Sequence, residues 1–454
     1  MLLGRGAELL QLNHYYDRDG SQIVVVYGQK NIGKTALIRE FIQDKPSSYY
    51  AARSCSEREQ VYQWGMELGD EGIRTSKYPS YEEIFMAVTS EQAGKKIIVV
   101  DEFQNMLKAD STFMHSLISF VHKEWKKQQV LVILCSSSVG WVENSMISRI
   151  GEAAYELSGL LKVKELKFKD CMNFFSGFNK QQCIETYAIL GGMPGLWVQF
   201  NDKLSVKENI IRTILSPTGV LYAEAERVLS EELRETAVYN TILASIAGGS
   251  HKLNDLHLHT GFSRAKISVY LKNLMELEIV EKVFSYDTEG NANAQKGIYR
   301  ISNRFVHFYY KFIYPRLSSL QSQAPGTFYL NFIALGFKSH VAEYFRDVCM
   351  EYMEECNEKG ILPFTFDRAG EWVGKVGNID IIMQDEEANT ILALCNYDRP
   401  MMTYDDYERL LYCAGKARLS TEYTYLFSVG RFDEKLNLEA KVKHNLTLVS
   451  MKEL

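Results

Sequence analysis

Residues 23–36, IVVVYGQKNIGKTA, restrict the fold of this chain more than any other stretch. Ile23 to Tyr27 read as one buried strand, which runs into a glycine-bounded loop and then a helix. The loop is G-x-x-x-x-G-K-T, with Gly28, Gly33, Lys34 and Thr35 in place; Gln29, Lys30, Asn31 and Ile32 fill it and Ala36 follows. Successive backbone N–H groups of such a loop turn inward and cradle phosphate oxygens, and the helix behind them adds the positive end of its dipole. Lys34 is placed to reach the β- and γ-phosphates, and the Thr35 hydroxyl to hold Mg²⁺. Residues 28–36 are therefore the predicted phosphate-binding site.

A second stretch supplies acids. KKIIVVDEFQNML (95–107) carries four consecutive β-branched residues, Ile97 to Val100, and ends in Asp101-Glu102. A continuously apolar strand is what a parallel sheet covered on both faces requires. Acids at its carboxyl end lie where such sheets place their ligands. Asp101 is predicted to bind Mg²⁺ through water, and Glu102 to orient or deprotonate the attacking water. VLVILCSSS (130–138) is a third buried strand. At its tip Ser137 has two open roles, hydrogen bonding to the water or γ-phosphate, or capping of the next helix within the Ser136–Ser138 run. Arg149, in a polar turn beyond, is either a charge-stabilising finger acting within its own subunit or on a neighbour's, or a solvated side chain.

The remaining sequence bounds what this site is joined to. At 454 residues the chain has room for about three domains. Apolar residues are 46% and charged residues 24%, as in an ordinary globular protein. A net charge of −6 gives no global argument for nucleic acid, so any such surface has to be local. No apolar run approaches a membrane span, and the MLLGRGAELL start has no apolar leader core. The eight cysteines include no C-x-x-C pair, which points to reduced thiols and a cytoplasmic setting.

Residues 159–235 read as helical, broken by LGGMPG (190–195), a rigid turn that either holds a lid or merely joins two helices. Residues 238–302 change character. Three short helices precede VFSYD, a Gly/Asn-rich turn through Gly290–Gly297, and GIYRIS, the outline of a winged helix. In its third helix Ile267, Leu271 and Leu274 form the buried stripe and leave Arg264, Lys266 and Lys272 on outer faces, facing DNA or only solvent. FVHFYYKFIYPRL (305–317) reads as a buried closing element, with base stacking as the alternative. The last part opens with a long helix. LPFTFD, GNIDIIMQD and TILALCNY then read as strands, followed by a helix (403–416), the strand YTYLFSVG and a terminal strand.

As an ordered set these segments resemble the archaeal-type P-loop ATPase family of the AAA+/STAND branch, found also in bacteria. The matching pieces are the GR-x-x-EL box at Gly4, Arg5, Glu8 and Leu9, then GQKNIGKT, IIVVDEFQ, VILCSSS, the Arg149 turn, LGGMPG, SEELRE before a winged helix, and YLFSVGRF. The resemblance implies an α/β fold, a P-loop NTPase parallel sheet (1–160) with a helical lid (161–235), a winged helix (236–318) and a C-terminal domain similar to PD-(D/E)XK restriction-endonuclease-like folds (330–454). It implies ATP and Mg²⁺ as ligands, Arg5 among the nucleotide contacts, and catalytic roles for Lys34, Glu102, Ser137 and Arg149. The departures fall mostly in the last domain. The nuclease pattern finds acids in Glu343 and Asp380, but its E-x-K is Leu394-Cys395-Asn396, which cannot hold a cation or stabilise an attacking water.

Three functions follow as expectations. The first is a nucleotide switch that hydrolyses ATP. The second is an ATP-regulated DNA-binding protein. The third, disfavoured by the missing E-x-K, is a metal-dependent nuclease. A protein partner or self-association is expected if Arg149 acts on a neighbour.

Overall fold

In the computed structural model the described residues are 2–89, 94–107, 111–124, 129–286 and 297–454. They form two compact units. The first comprises residues 1–166 with 193–195 and 276–278; the second holds the rest. Among the described residues, no helix is long and apolar enough to cross a membrane. None of the eight cysteines is in a disulfide among the described residues.

The first unit opens with α1 (Gly6–Asp17) and then alternates strands and helices: β1 (Gln22–Tyr27), α2 (Lys34–Ile42), β2 (Ser47–Ala51), α3 (Glu57–Asp70), α4 (Tyr81–Thr89), β3 (Lys96–Asp101), α5 (Phe113–Glu124), β4 (Val130–Ser136), α6 (Val139–Asn144) and β5 (Gly159–Lys162). All pairings in its sheet are parallel, in the order β2-β3-β4-β1-β5. Ile23 to Val26, Ile97 to Val100 and Val130 to Cys135 are at most 2% exposed. Their unbroken apolar runs follow from this geometry, because the central strands carry helices on both faces. The order places β1 between β4 and β5, so the loop leaving β1 emerges beside the tips of β3 and β4. The parallel sheet expected within residues 1–160 is therefore present. It also corrects the reading of 159–235 as helical, since Gly159–Lys162 is the fifth strand, bonded to Val24–Tyr27.

The second unit is helical through much of 167–275 and contains the predicted three helices, Thr236–Ala247, Leu253–Thr260 and Arg264–Glu276, the last running into the 276–278 segment. Ile267, Leu271 and Leu274 are fully buried, whereas Arg264, Lys266 and Lys272 are exposed. The antiparallel pair β6 (Val280–Val283) and β7 (Ile298–Ile301) follows. The turn through Gly290 lies outside the described residues up to Gly297. Residues 305–317 are largely buried, with Phe305, Phe308, Tyr310 and Ile313 at most 2% exposed, as core packing requires.

A 25-residue helix, Ala334–Glu358, leads into a mixed sheet. Its strands are β8 (Arg368–Gly374), β9 (Gly377–Gln384), β10 (Thr390–Asn396), β12 (Tyr423–Ser428) and β14 (Leu446–Ser450), ordered β14-β12-β10-β9-β8. A two-stranded ladder of β11 (Met401–Met402) and β13 (Arg431–Phe432) lies apart from it. LPFTFD is not a strand. The Asn357 side chain bonds both the N–H and the carbonyl of Phe366, and the first strand begins at Arg368.

Candidate nucleotide site

The phosphate loop is fixed from three sides within the first unit. Gly33 starts α2 with φ of +95°, a conformation that side chains rarely adopt. At Gly28 an added Cβ would lie 2.4 Å from the Val163 carbonyl oxygen, so the exit of β5 leaves room only for glycine. Arg5, 3% exposed, donates to the Ile32 carbonyl at 2.7 Å and to Glu8 at 2.9 Å. Predicted as a nucleotide contact, Arg5 braces the loop here.

The turn within LGGMPG supplies the second brace. The Gly195 N–H donates to the Asn31 carbonyl at 2.9 Å, and a Cβ on Gly33 would meet Pro194 at 3.1 Å. The third brace is Glu278, a non-glycine residue with φ of 56° in the link between the third helix and β6. Gln29 donates to the Glu278 carboxylate at 3.1 Å, and Lys162 pairs with it at 2.5 Å. Neither contact is visible in a sequence read along its length, because each joins residues far apart in the chain.

Lys34 is 7% exposed and folds back on the loop, donating to the carbonyls of Gly28 at 2.8 Å and Gln29 at 3.0 Å. Loop carbonyls are modest partners for an ammonium, and phosphate oxygens offer it a stronger one. Thr35 follows in the first turn of α2. Gln29, Lys30 and Asn31 are partly exposed around the loop mouth and Ala36 is exposed, while Ile32 is 1% exposed and anchors the loop in the core.

The acids stand at the tip of β3. Asp101 accepts the Tyr49 hydroxyl on Oδ2, and the Glu102 N–H on Oδ1 at 3.0 Å. Glu102 has φ of 52° and ψ of 43°, left-handed backbone that costs a non-glycine residue about 1 kcal/mol or more. Its Oε2 accepts from the Ser137 hydroxyl at 2.8 Å, the Ser137 N–H at 3.2 Å and the Gln104 amide at 2.5 Å. Of the two roles open to Ser137, this geometry leaves it off the helix end. Ser138 is the residue preceding α6, and no side chain caps that helix. Beneath the acids Cys135 is fully buried, and burial, with Asp101 adding to it, pushes its thiol up. Thr35 and Asp101 are hard oxygen donors of the kind Mg²⁺ takes alongside phosphates and water, so the residues fit that ion.

Arg149 is exposed and donates through Nε to the Leu107 carbonyl at 2.9 Å. That bond uses one edge of the guanidinium and does not bring it to the phosphate loop.

In the second unit the acids of the expected nuclease pattern lie differently. Glu343 bonds to Lys311 and lies 3.9 Å from His307. One turn on, Asp347 is the acid of that helix that lines a cavity of about 360 Å³, with Glu281, Glu371 and Asp380. Arg346 pairs with Glu371 and, at 3.4 Å, with Asp347; Arg300 pairs with Glu371 at 2.6 Å, and Arg304 with Asp347 at 3.1 Å. Asp380 accepts the Cys395 N–H at 2.8 Å, and burial pushes its carboxyl up. Asn396 bonds Ser428 and the Arg399 carbonyl, a structural position at the end of β10. Among the described residues no group of three or more His, Cys, Asp or Glu side chains is placed to hold a metal ion.

Comparison with known proteins agrees with the first unit. Residues 2–200 match a family described as an ATPase domain predominantly from Archaea, and residues 309–405 match a family of archaeal and bacterial proteins of unknown function. An uncharacterized protein of Methanocaldococcus jannaschii is 27% identical over 447 residues, covering 93% of this chain and 97% of that one. A Walker-type ATPase of Pyrococcus abyssi is 15% identical with a TM-score of 0.48, covering 68% of this chain and 96% of that one. The ORC2 protein of Aeropyrum pernix, in ADPNP–ADP complexes, is 13% identical with a TM-score of 0.44, covering 71% and 95%.

Proposed function

We propose that this protein binds ATP with Mg²⁺, hydrolyses it, and uses the nucleotide state as a switch, a reading supported by the match of residues 2–200 to a family described as an ATPase domain predominantly from Archaea. The observation that carries the reading is the join between Asp101, Glu102 and Ser137 at the tips of β3 and β4, beside a phosphate loop complete from Gly28 to Thr35. Lys34 neutralises charge on the β- and γ-phosphates. Glu102, held by the Ser137 hydroxyl, orients and deprotonates the attacking water. Thr35 and Asp101 hold the metal ion, which neutralises charge on phosphate oxygens when bound. Arg149 is available for charge stabilisation, within its own subunit or on a neighbour's.

The switch has a route outward. Glu278 is bonded to Gln29 and lies in the link between the third helix and β6, so a change at the loop is felt where the chain enters the hairpin. We read the residues beyond β5 up to 235 as a helical lid, 236–318 as a winged helix, and 330–454 as a nuclease-like domain that kept a fold and lost its chemistry. Exposed Arg264, Lys266 and Lys272 favour a second reading, in which the winged helix binds DNA under nucleotide control.

The test is phosphate release from ATP by the full chain with Mg²⁺, with and without duplex DNA. The wild-type protein is expected to turn over ATP, and Lys34→Ala to lose nucleotide binding by roughly 100-fold or more. Equal turnover by the two proteins refutes the assignment. Stimulation by DNA selects the second reading, and its absence the first.

A further inference from the structure

Tyr49 lies on β2, whose side chains alternate between faces. Its neighbour Tyr50 points into the core, 1% exposed and stacked on Trp64 at 4.3 Å. Tyr49 therefore points to the other face, where its register partner Val99 lies two residues before Asp101 on β3. There its hydroxyl donates to Asp101 Oδ2. The phenol thus holds one oxygen of the carboxylate that fits the metal ion.

We propose that Tyr49 is a positioning residue for the Mg²⁺ site, holding the Asp101 carboxylate in place before the ion arrives. Asp101 is then oriented through both oxygens, Oδ2 by the phenol and Oδ1 by the Glu102 N–H at 3.0 Å. Mg²⁺ demands near-octahedral geometry and keeps several waters, so it rewards a carboxylate already turned toward it. Outer hydrogen bonds of this kind contribute 10- to 100-fold in metal affinity elsewhere.

The inference rests on the Mg²⁺–ATP reading above, and the experiment separates the two. ADP affinity is measured for the wild-type chain, Tyr49→Phe and Tyr50→Phe, first in EDTA and then across a Mg²⁺ titration, with melting temperatures alongside. Tyr50 is the control, because its hydroxyl bonds Gln60 at 2.9 Å and not the metal ligands. Tyr49→Phe is expected to keep wild-type ADP affinity in EDTA, to need about 10-fold more Mg²⁺ for half-maximal tightening, and to recover wild-type kcat at saturating Mg²⁺. Tyr50→Phe is expected to follow the wild-type Mg²⁺ curve whatever its melting temperature. A wild-type Mg²⁺ dependence in Tyr49→Phe overturns the inference. So does an equal loss of affinity in EDTA, which would make Tyr49 merely structural. A wild-type chain whose nucleotide binding ignores Mg²⁺ removes the underlying reading instead, and this one with it.

Discussion

Two sheets in this protein gather acids, and they neutralise them in opposite ways. In the first unit Asp101 and Glu102 are held by a phenol, a hydroxyl, a side-chain amide and backbone N–H groups. In the second, Asp347 and Glu371 are held by the guanidinium groups of Arg300, Arg304 and Arg346. Neutral donors orient a carboxylate and leave its charge available to a cation. Guanidinium groups cancel that charge, so an incoming cation would first have to displace an ion pair. The second set of acids thus draws its positive charge from the chain itself, and the first leaves its charge open to a ligand.

The comparison can be broken at either end. Glu102→Gln keeps the hydrogen-bond acceptor for Ser137 and removes the base. Nucleotide binding should persist while turnover falls by about 100-fold or more, and single-turnover phosphate release reads this directly. Undiminished turnover would mean that Glu102 is not the base.

The next largest effect is on stability. Arg346→Met leaves Glu371 and Asp347 short of positive charge in a largely buried site, and should cost the second unit roughly 3 kcal/mol by denaturant unfolding. Divalent cations should stabilise the variant more than the wild-type protein, because the vacated charge is then theirs to supply. If Mn²⁺ raises the melting temperature of both proteins equally, the arginines are not standing in for a cation.

The smallest effect is pH-dependent. Burial holds the His307 imidazole down to about 3, from an ordinary value of 6.5. Fully buried His340 is lowered as well, chiefly by burial. Between those limits the unfolded chain binds a proton that the folded chain does not, so stability is full above pH 6.5 and falls as pH drops below it. The expected slope is about 1.4 kcal/mol per pH unit for each histidine at most. His307→Phe should flatten part of it in melts between pH 7 and pH 5, and an unchanged slope would assign the sensitivity elsewhere.

Much of the first unit was legible along the chain. The run from Ile23 to Ala36 and the run from Ile97 to Glu102 are local patterns, each holding its strand and its chemistry in one segment. The four-residue strand Gly159–Lys162 escaped because its burial alternates only weakly and its partner is β1, far away in sequence. On the long helix the sequence pointed to Glu343. The helix rotates that residue to Lys311 and presents Asp347, one turn later, to the cavity. LPFTFD reads as a strand by composition, yet the Asn357 side chain takes its backbone bonds.

The sequence by itself determined the phosphate loop and the acids after the second apolar strand, because each is set by neighbours within about a dozen residues. Only the tertiary structure decided which groups surround them. The parallel order β2-β3-β4-β1-β5 carries Tyr49 and Ser137 to the acids, and the chain's return at 193–195 and 276–278 brings Gly195 and Glu278 to the loop. Strand order and chain return are long-range choices made by burying apolar faces. The side chains that ride on them are placed by that packing, with no local signal to announce it.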